Sequence, residues 1–498
     1  GVTYLAAGNL TDALESFGWA ARFPEYRSPA YANMAGIELM QGDKALAEHY
    51  GNLSLDFNRT NFNALEVLAI LYRQSGKTAL ADKCIDAISS VDPLNHFADF
   101  ERSLLHPSAE NTEKFTSTIT NEMPYQTFLE LCMIYFNLGQ KEDALKVLDK
   151  APAHPLITIW KAYLKDDASL LSEAAAASPA FVFPYRTETL SALKWAMSKN
   201  NSWKLKYYLG MNYIAVQRDA EGLQLFNACG QEPDYAPFYL TRAKLMRPVD
   251  KNKELSDLQT ALRLAPDDWR AADELISYYE INKDFPMALT TATNAYKKHK
   301  TDQTIAIQYA IALINNGQYA KSLKVLDGMT ILPSEGASQG KVVFEQASLF
   351  LSMDLIKSKK YAEAIKMIEK SKEWPERLGV GKPYDPDTRI QDYLNIFCLE
   401  KMNKGNETAN LRKSVIDFTD KNMYPSFSNV LAVKLLKEKG ETEAANKMIQ
   451  EFGKSASSVQ KWVVATSNND QAAISNLEKD FSKEIRYLIV KRALEVTK

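Results

Sequence analysis

A beat of 34 residues runs through the start of this chain. Gly8-(x4)-Ala13, Gly42-(x4)-Ala47 and Gly76-(x4)-Ala81 repeat one pattern, and Ser322 follows Ala288 by the same interval in a second regular tract. A period of that length is too long for a heptad and too short for a domain. It fits one helix–turn–helix per repeat, so the chain is expected to be an α-solenoid of stacked hairpins. A chain of 498 residues would ordinarily divide into about three or four globular domains, whereas a solenoid grows lengthwise because each repeat packs on its neighbours.

The clearest unit is Ala64 to Pro93. Its first helix presents Leu65, Leu68, Ala69 and Tyr72 at helical spacing. Gly76 is placed at the turn, where the missing Cβ lets the chain reverse. Ala81, Ile85 and Ile88 form the packing face of the second helix, and Pro93 ends it because proline cannot donate to a continuing helix.

The residues Leu68, Ala69, Tyr72, Gly76, Ala81, Ile85 and Pro93 resemble the tetratricopeptide repeat family. Further units are similar: Leu131, Tyr135, Gly139, Ala144 and Leu148; Leu209, Gly210, Tyr213, Gly222 and Phe226; Leu275, Tyr279, Ala288 and Ala295; Tyr309, Gly317, Tyr319, Ser322 and Leu326; Leu351, Tyr361, Ala364 and Ile368; and Gly440 with Ala445. The resemblance implies an all-α, right-handed α–α superhelix of about eleven hairpins. Regular repeats are expected over 1–93 and 254–373. Degenerate and regular hairpins are expected over 94–253, because apolar periodicity persists there without the Gly-Ala signature, and C-terminal hairpins over 390–498.

The segment 374–389, WPERLGVGKPYDPDTR, breaks the pattern with three prolines and two glycines. It carries Trp374, Arg377, Lys382, Tyr384, Asp385 and Arg389, groups suited to holding a ligand or partner, and long loops in compact arrays are often functional. The alternative is a rigid connector that packs Trp374 and Tyr384 on adjacent helices. This segment also resembles the C-terminal region of a family of large bacterial proteins in which a sandwich domain, similar to galactose-mutarotase-type modules, precedes the repeats. That resemblance implies such an upstream domain and a link to carbohydrate metabolism. Tyr4 falls where it would close the first helix of a hairpin, so the chain is expected to begin in mid-repeat, with Gly1 a cloning remnant.

In the repeat family the first helix of each hairpin lines the inner surface. Its fifth, ninth and twelfth positions read here Ala32, Gly36, Leu39; Leu129, Met133, Phe136; Tyr207, Met211, Ile214; Ile307, Ile311, Ile314; and Leu349, Met353, Ile356. This face is mostly apolar and must be covered. Either inner helices touch one another, or another body fills the groove, such as an upstream domain or a partner helix. Asp273, Ser277 and Glu280 form one polar exception, able to receive a basic segment or to face water. The candidate concave surface is therefore Met133, Phe136, Tyr207, Met211, Asp273 and Glu280.

Catalytic patterns are not found in the sequence. Gly76-Lys77-Thr78 lacks the earlier glycine of a phosphate loop, since Leu71 stands there; Gly336 and Gly340-Lys341 are wrongly spaced; Gly379-Val380-Gly381-Lys382 follows no strand. The five histidines make no H-x-x-x-H pair, and no G-x-S-x-G elbow occurs. Cys84, Cys132 and Cys398 fall in apolar-periodic helices, as small core residues do, and Cys229 is the fourth cysteine. With 60 basic and 62 acidic residues, no net field draws the chain to nucleic acid. No apolar run approaches the roughly 20 residues of a membrane span. The expectation is a non-catalytic protein-interaction scaffold without cofactor or metal, whose partner is a protein or the upstream domain of its own polypeptide. The alternative is an accessory region of a carbohydrate-active protein. The compartment is left open, with the cytoplasm favoured.

Overall fold

The computed structural model describes residues 1–333, 338–481 and 484–498. Gly336 therefore lies outside the described residues. Among them every regular element is helical and no strand occurs. The chain packs as two compact units, Gly1–Phe238 and Tyr239–Lys498.

Unit 1 opens with α1 (Val2–Ala6) and α2 (Leu10–Ala20). Four hairpins follow: α3 (Arg27–Gln41) with α4 (Lys44–Phe57), α5 (Phe62–Gln74) with α6 (Thr78–Val91), α7 (His96–Leu105) with α8 (Ala109–Ser117), and α9 (Pro124–Asn137) with α10 (Lys141–Asp149). Next come α11 (Pro155–Lys165), the short α12 (Leu171–Ala176) and α13 (Thr189–Lys199), then the hairpin α14 (Trp203–Ala215) with α15 (Asp219–Ala228).

The unit boundary falls within α16 (Ala236–Met246), which is followed by α17 (Lys251–Leu264). Unit 2 continues as α18 (Trp269–Ile281) with α19 (Phe285–Lys298), α20 (Gln303–Asn315) with α21 (Tyr319–Asp327), and α22 (Gln339–Lys357) with α23 (Tyr361–Ser371). Then come α24 (Arg389–Lys401) with α25 (Ala409–Lys421), α26 (Asn429–Glu438) with α27 (Thr442–Gly453), α28 (Ser458–Ser467) with α29 (Gln471–Phe481), and α30 (Ile485–Val496). Helices pack chiefly on those before and after them in sequence. The fold is an all-α solenoid of tetratricopeptide-like hairpins.

One local device makes most of these hairpins. At Gly76 the backbone turns left-handed, φ +69°, and the amides of Gly76 and Lys77 donate to the carbonyls of Arg73 and Tyr72 at 3.1 and 2.8 Å. This doubly bonded stop satisfies the last carbonyls of the first helix. Five residues on, Ala81 is fully buried where the two helices cross, as are Ala13, Ala47, Ala144, Ala288, Ala364 and Ala445 at their own crossings. The same turn is built without glycine at Asp166, Gln217, Lys283, Lys359, Asn403 and Asn469, whose φ values lie between 52° and 63°. Gly222, Ala288, Ala364 and Thr408, buried, follow four of these by the same five residues. The hairpin beat thus continues through stretches where the glycine does not mark it.

Side-chain caps start many of the helices. Asp250, Asp268, Asp284 and Asp302 accept backbone amides at the first turns of α17, α18, α19 and α20 in succession.

Two features depart from a plain stack. In unit 1, residues 177–188 form a non-helical strap between α12 and α13, consistent with Pro179 and Pro184. Tyr125 and Gln126 of α9 donate to the strap carbonyls of Phe181 and Phe183 at 2.8 and 3.1 Å, and strap residue Arg186 pairs with Glu130. In unit 2, α30 returns to α22 and α24. Arg486 pairs with Glu345 at 2.7 Å, Arg492 with Asp354 at 2.6 Å, and the Tyr393 and Thr497 hydroxyls meet at 2.7 Å.

Candidate functional site

The 374–389 segment separates into a fixed base and a free tip. Trp374 is half-buried beneath the ammonium of Lys341, 4.9 Å from its ring centre. Lys341 is 4% exposed and donates to the carbonyls of Ser371 and Glu373 at 2.5 and 2.9 Å. Arg377 pairs with Asp327 at 2.6 Å, and Leu378 and Val380 enter the core. A Cβ on Gly340 would stand 2.6 Å from the Leu378 carbonyl oxygen, so this glycine serves close packing of the loop base on α22.

Arg389 is 1% exposed. Its guanidinium is bidentate to Asp387, at 2.9 and 2.7 Å, and donates to Asn429, Thr419 and Ser426 at 2.6, 3.0 and 3.1 Å. Burial would raise the Asp387 carboxyl, but Arg389 outweighs it and holds the group below the ordinary range. At the tip the situation reverses. Lys382, Tyr384 and Asp385 are exposed, Tyr384 completely, and Asp385 has only a loose pairing with Lys421 at 3.4 Å.

Several of the inner positions are covered from within each unit, while Phe136, Met211 and Ile311 stay half-buried. In unit 1 a Cβ on Gly36 would meet the Leu138 side chain at 3.1 Å, and one on Gly139 would meet Met40 at 3.5 Å. The ends of α3 and α9 therefore touch across two intervening hairpins' worth of chain. An ionic brace reinforces this: Arg73 binds Glu101 at 2.6 Å and Asp143 at 2.6 Å, and the Tyr135 hydroxyl donates to Glu101 at 2.9 Å. Met133 is 5% exposed, on the same face of α9 as the strap-binding residues Gln126 and Glu130. Phe136 lies edge-on to Trp160, ring centres 5.2 Å apart. Tyr207 is 4% exposed against Phe226 and Phe238, and Met211 is half-buried. In unit 2, Leu349, Met353 and Ile356 are buried in the core that α30 joins through Tyr487, Ile489, Val490 and Ala493.

Asp273, Ser277 and Glu280 remain as a polar ledge on α18. Gln308 of α20 donates to Asp273 at 2.8 Å and to Ser277 at 3.2 Å, and Asn315 donates to Glu280 Oε2 at 2.6 Å. Glu280 Oε1 is buried without a hydrogen-bond partner. Burial raises both carboxyls above their ordinary values, opposed by the amide donors. The amides on α20 are the part of this ledge that single-helix reading misses. Gln308 lies 35 residues after Asp273 and Asn315 lies 35 after Glu280, one repeat and one residue on, and that spacing was the available signal.

All four cysteines are buried, and burial pushes the Cys84 thiol up to about 11 and those of Cys132 and Cys398 up to about 12. Thiols in that state are poor nucleophiles at neutral pH. Among the described residues no group of three or more His, Cys, Asp or Glu side chains could hold a metal ion, and no helix is long and apolar enough to cross a membrane.

No protein-family model matches the chain, and no curated protein matches it in sequence. Among solved structures it aligns with one of Naa15/Naa10 bound to HypK-THB at 12% identity, covering 99% of this chain and 98% of that one, with a TM-score of 0.31. It aligns with the P58(IPK) TPR domain at 15% identity, covering 94% and 98%, with a TM-score of 0.26. With yeast Tom70 the identity is 10%, the coverage 94% and 100%, and the TM-score 0.29. Superposition at this level transfers neither a partner nor an activity.

Proposed function

We propose that this chain is a non-catalytic scaffold for protein–protein interaction, and that the polar ledge of α18 and α20 receives an extended, basic segment of a partner. The observation that carries this reading is Glu280. One of its oxygens takes the Asn315 amide, while the other is buried with no donor among the described residues. A buried acceptor left unmade costs about 1–3 kcal/mol, and a Lys, Arg or backbone N–H from a partner would remove that cost. Affinity capture from cells with the wild-type chain and with an Asp273→Asn, Glu280→Gln double variant tests it. A defined protein held by the wild type and lost by the equally helical variant supports the reading. Equal recovery by both, or recovery by neither, removes it.

A second reading is supported by Tyr384, whose ring is fully exposed between Lys382 and Asp385. In this reading the chain is the accessory region of a carbohydrate-active protein, and the loop tip reaches a sugar site in an upstream sandwich domain. Tyr384 would stack on the sugar while Lys382 and Asp385 bond its hydroxyls. Trp374, Arg377 and Arg389 would act indirectly, by fixing the base of the loop. Tyr384→Ala in the intact polypeptide should weaken sugar binding with helical content unchanged; unaltered sugar handling would eliminate this role.

A further inference from the structure

The strap of residues 177–188 follows α9 along its length. Phe181 and Phe183 meet Tyr125 and Gln126 at the start of that helix, Arg186 meets Glu130 in its middle, and Glu188 accepts from Asn137 at its end at 3.3 Å. Residues 182–186 form neither helix nor turn, and their burial alternates as in an extended chain. Val182 and Pro184 are buried, while Phe181, Phe183 and Tyr185 are 70%, 44% and 46% exposed.

Most of the bonds that hold the strap grip its backbone. The carbonyls of Phe181, Phe183 and Arg186 accept from the Tyr125 hydroxyl, from Gln126 Nε2 and from Asn212 Nδ2 of α14, the last at 3.1 Å. Tyr125 is itself fixed by stacking on His154, ring centres 3.5 Å apart. Backbone contacts of this kind suit any extended peptide, and the pockets under alternate side chains select among them. Here those pockets take Val182 and Pro184, and Glu130 adds a preference for a cation two residues further on.

The fit is imperfect. Phe181 sits at φ +61°, a conformation that bulky side chains rarely adopt. Arg186 Nε and Asn212 Oδ1 are buried with no hydrogen-bond partner among the described residues. Three aromatic side chains point outward and gain little cover. These costs offset part of what the contacts contribute, so the strap is held less firmly than its bonds alone would hold it.

We propose that this face of α9 is a peptide-binding groove and that the strap is its internal occupant, displaced by a partner segment of the same chemistry. That segment is extended, with an apolar residue, a proline two positions on and an arginine two further. The groove belongs to unit 1 and does not depend on the ledge of α18 and α20.

The probe is a fluorescent peptide of the strap's own sequence, SPAFVFPYRTE, titrated against the full chain by anisotropy. A Val182→Asp, Arg186→Gln variant frees the groove, because it sets a charge in an apolar pocket and removes the partner of Glu130. The freed chain should bind the peptide with a Kd of about 10 µM. The wild type should bind it about a hundredfold more weakly, since the tethered strap competes at roughly millimolar effective concentration. Adding Glu130→Arg to the freed chain should abolish binding of this peptide and restore binding of one carrying Arg186→Glu. The proposal fails if the freed chain keeps its helical content and leaves the peptide unbound, if the wild type binds it equally well, or if the charge swap does not exchange the preference. If the double variant loses helical content, Arg186→Gln alone takes its place and should bind about tenfold more tightly than the wild type. No gain there, or a loss of helix in that variant too, makes the strap part of the core and overturns the proposal.

Discussion

Three glycines inside helices of unit 1 should respond oppositely to the same added methyl group. Gly18 in α2 has nothing within 4 Å of a built Cβ. Gly18→Ala should therefore gain the full helix-propensity difference, about 1 kcal/mol. At Gly51 in α4 the Cβ would meet Cγ and Cδ2 of buried Leu68 at 2.8 Å, a side chain that yields less readily than a free end but more readily than backbone. The gain there should roughly cancel against an overpacking cost at the low end of about 1–3 kcal/mol. At Gly222 in α15 the Cβ would stand 2.8 Å from Ile214 Cγ1 and 3.0 Å from the carbonyl oxygen of Gly210. That oxygen belongs to the backbone of α14 and moves only if the helix moves. Taking the middle to upper part of the overpacking range less the propensity gain leaves about 1–2 kcal/mol of destabilisation. Urea unfolding followed by hydrogen exchange of unit 1 peptides would rank the three variants. If Gly222→Ala stabilised unit 1 as much as Gly18→Ala, the close α14–α15 crossing would be wrong.

Other outcomes follow from single side chains. Arg389→Ala leaves half-buried Asp387 without its cation and should cost unit 2 about 2–3 kcal/mol after allowing for that exposure, whereas Tyr384→Ala at the exposed tip should stay within about 0.5 kcal/mol; thermal unfolding compares them. Burial raises the Glu66 carboxyl to about 7, so this group favours the fold least when ionised: its penalty is absent below 4.5 and complete above about 7. Glu66→Gln should therefore stabilise unit 1 at pH 8.5 by about 1–2 kcal/mol after allowing for partial exposure, and not at pH 4.5, as read by urea midpoints. Burial also pushes His154 down to about 4, against an opposing bond to the Phe181 carbonyl. Its contribution is present above 6.5 and lost as pH falls toward 4, and an imidazole NMR titration with a midpoint near 6.5 would contradict this.

How much of this could be read beforehand differs by residue. Gly8, Gly42, Gly76, Gly139, Gly317 and Gly440 all adopt positive φ at hairpin turns, and glycine at a turn followed by a small residue at a crossing, alanine or, after Gly317, serine, is written directly in residue types. The turns at Gln217, Lys283 and Lys359 were hidden, since those residues have no preference for that conformation and are held in it by the bonds around them. The apolar inner rows were legible as apolar. What covers them was not, because the strap over α9 and the return of α30 are pairings between distant segments that no local period encodes. In the loop, residue type alone could not separate Arg389, locked by five hydrogen bonds to four partners, from Tyr384 in solvent.

The return of α30 changes how unit 2 must assemble. Repeat arrays usually fold by passing order from neighbour to neighbour, so an end can fray alone. Here Arg486 and Glu345 are 141 residues apart in sequence, and their pairing ties the last helix to the middle of the array. A ribosome must finish the C-terminal helix before the wall of α22 and α24 acquires its cover. The tail then works like the keystone of an arch: shortening it by one helix should expose apolar surface several hairpins upstream, and melt that region together with the end.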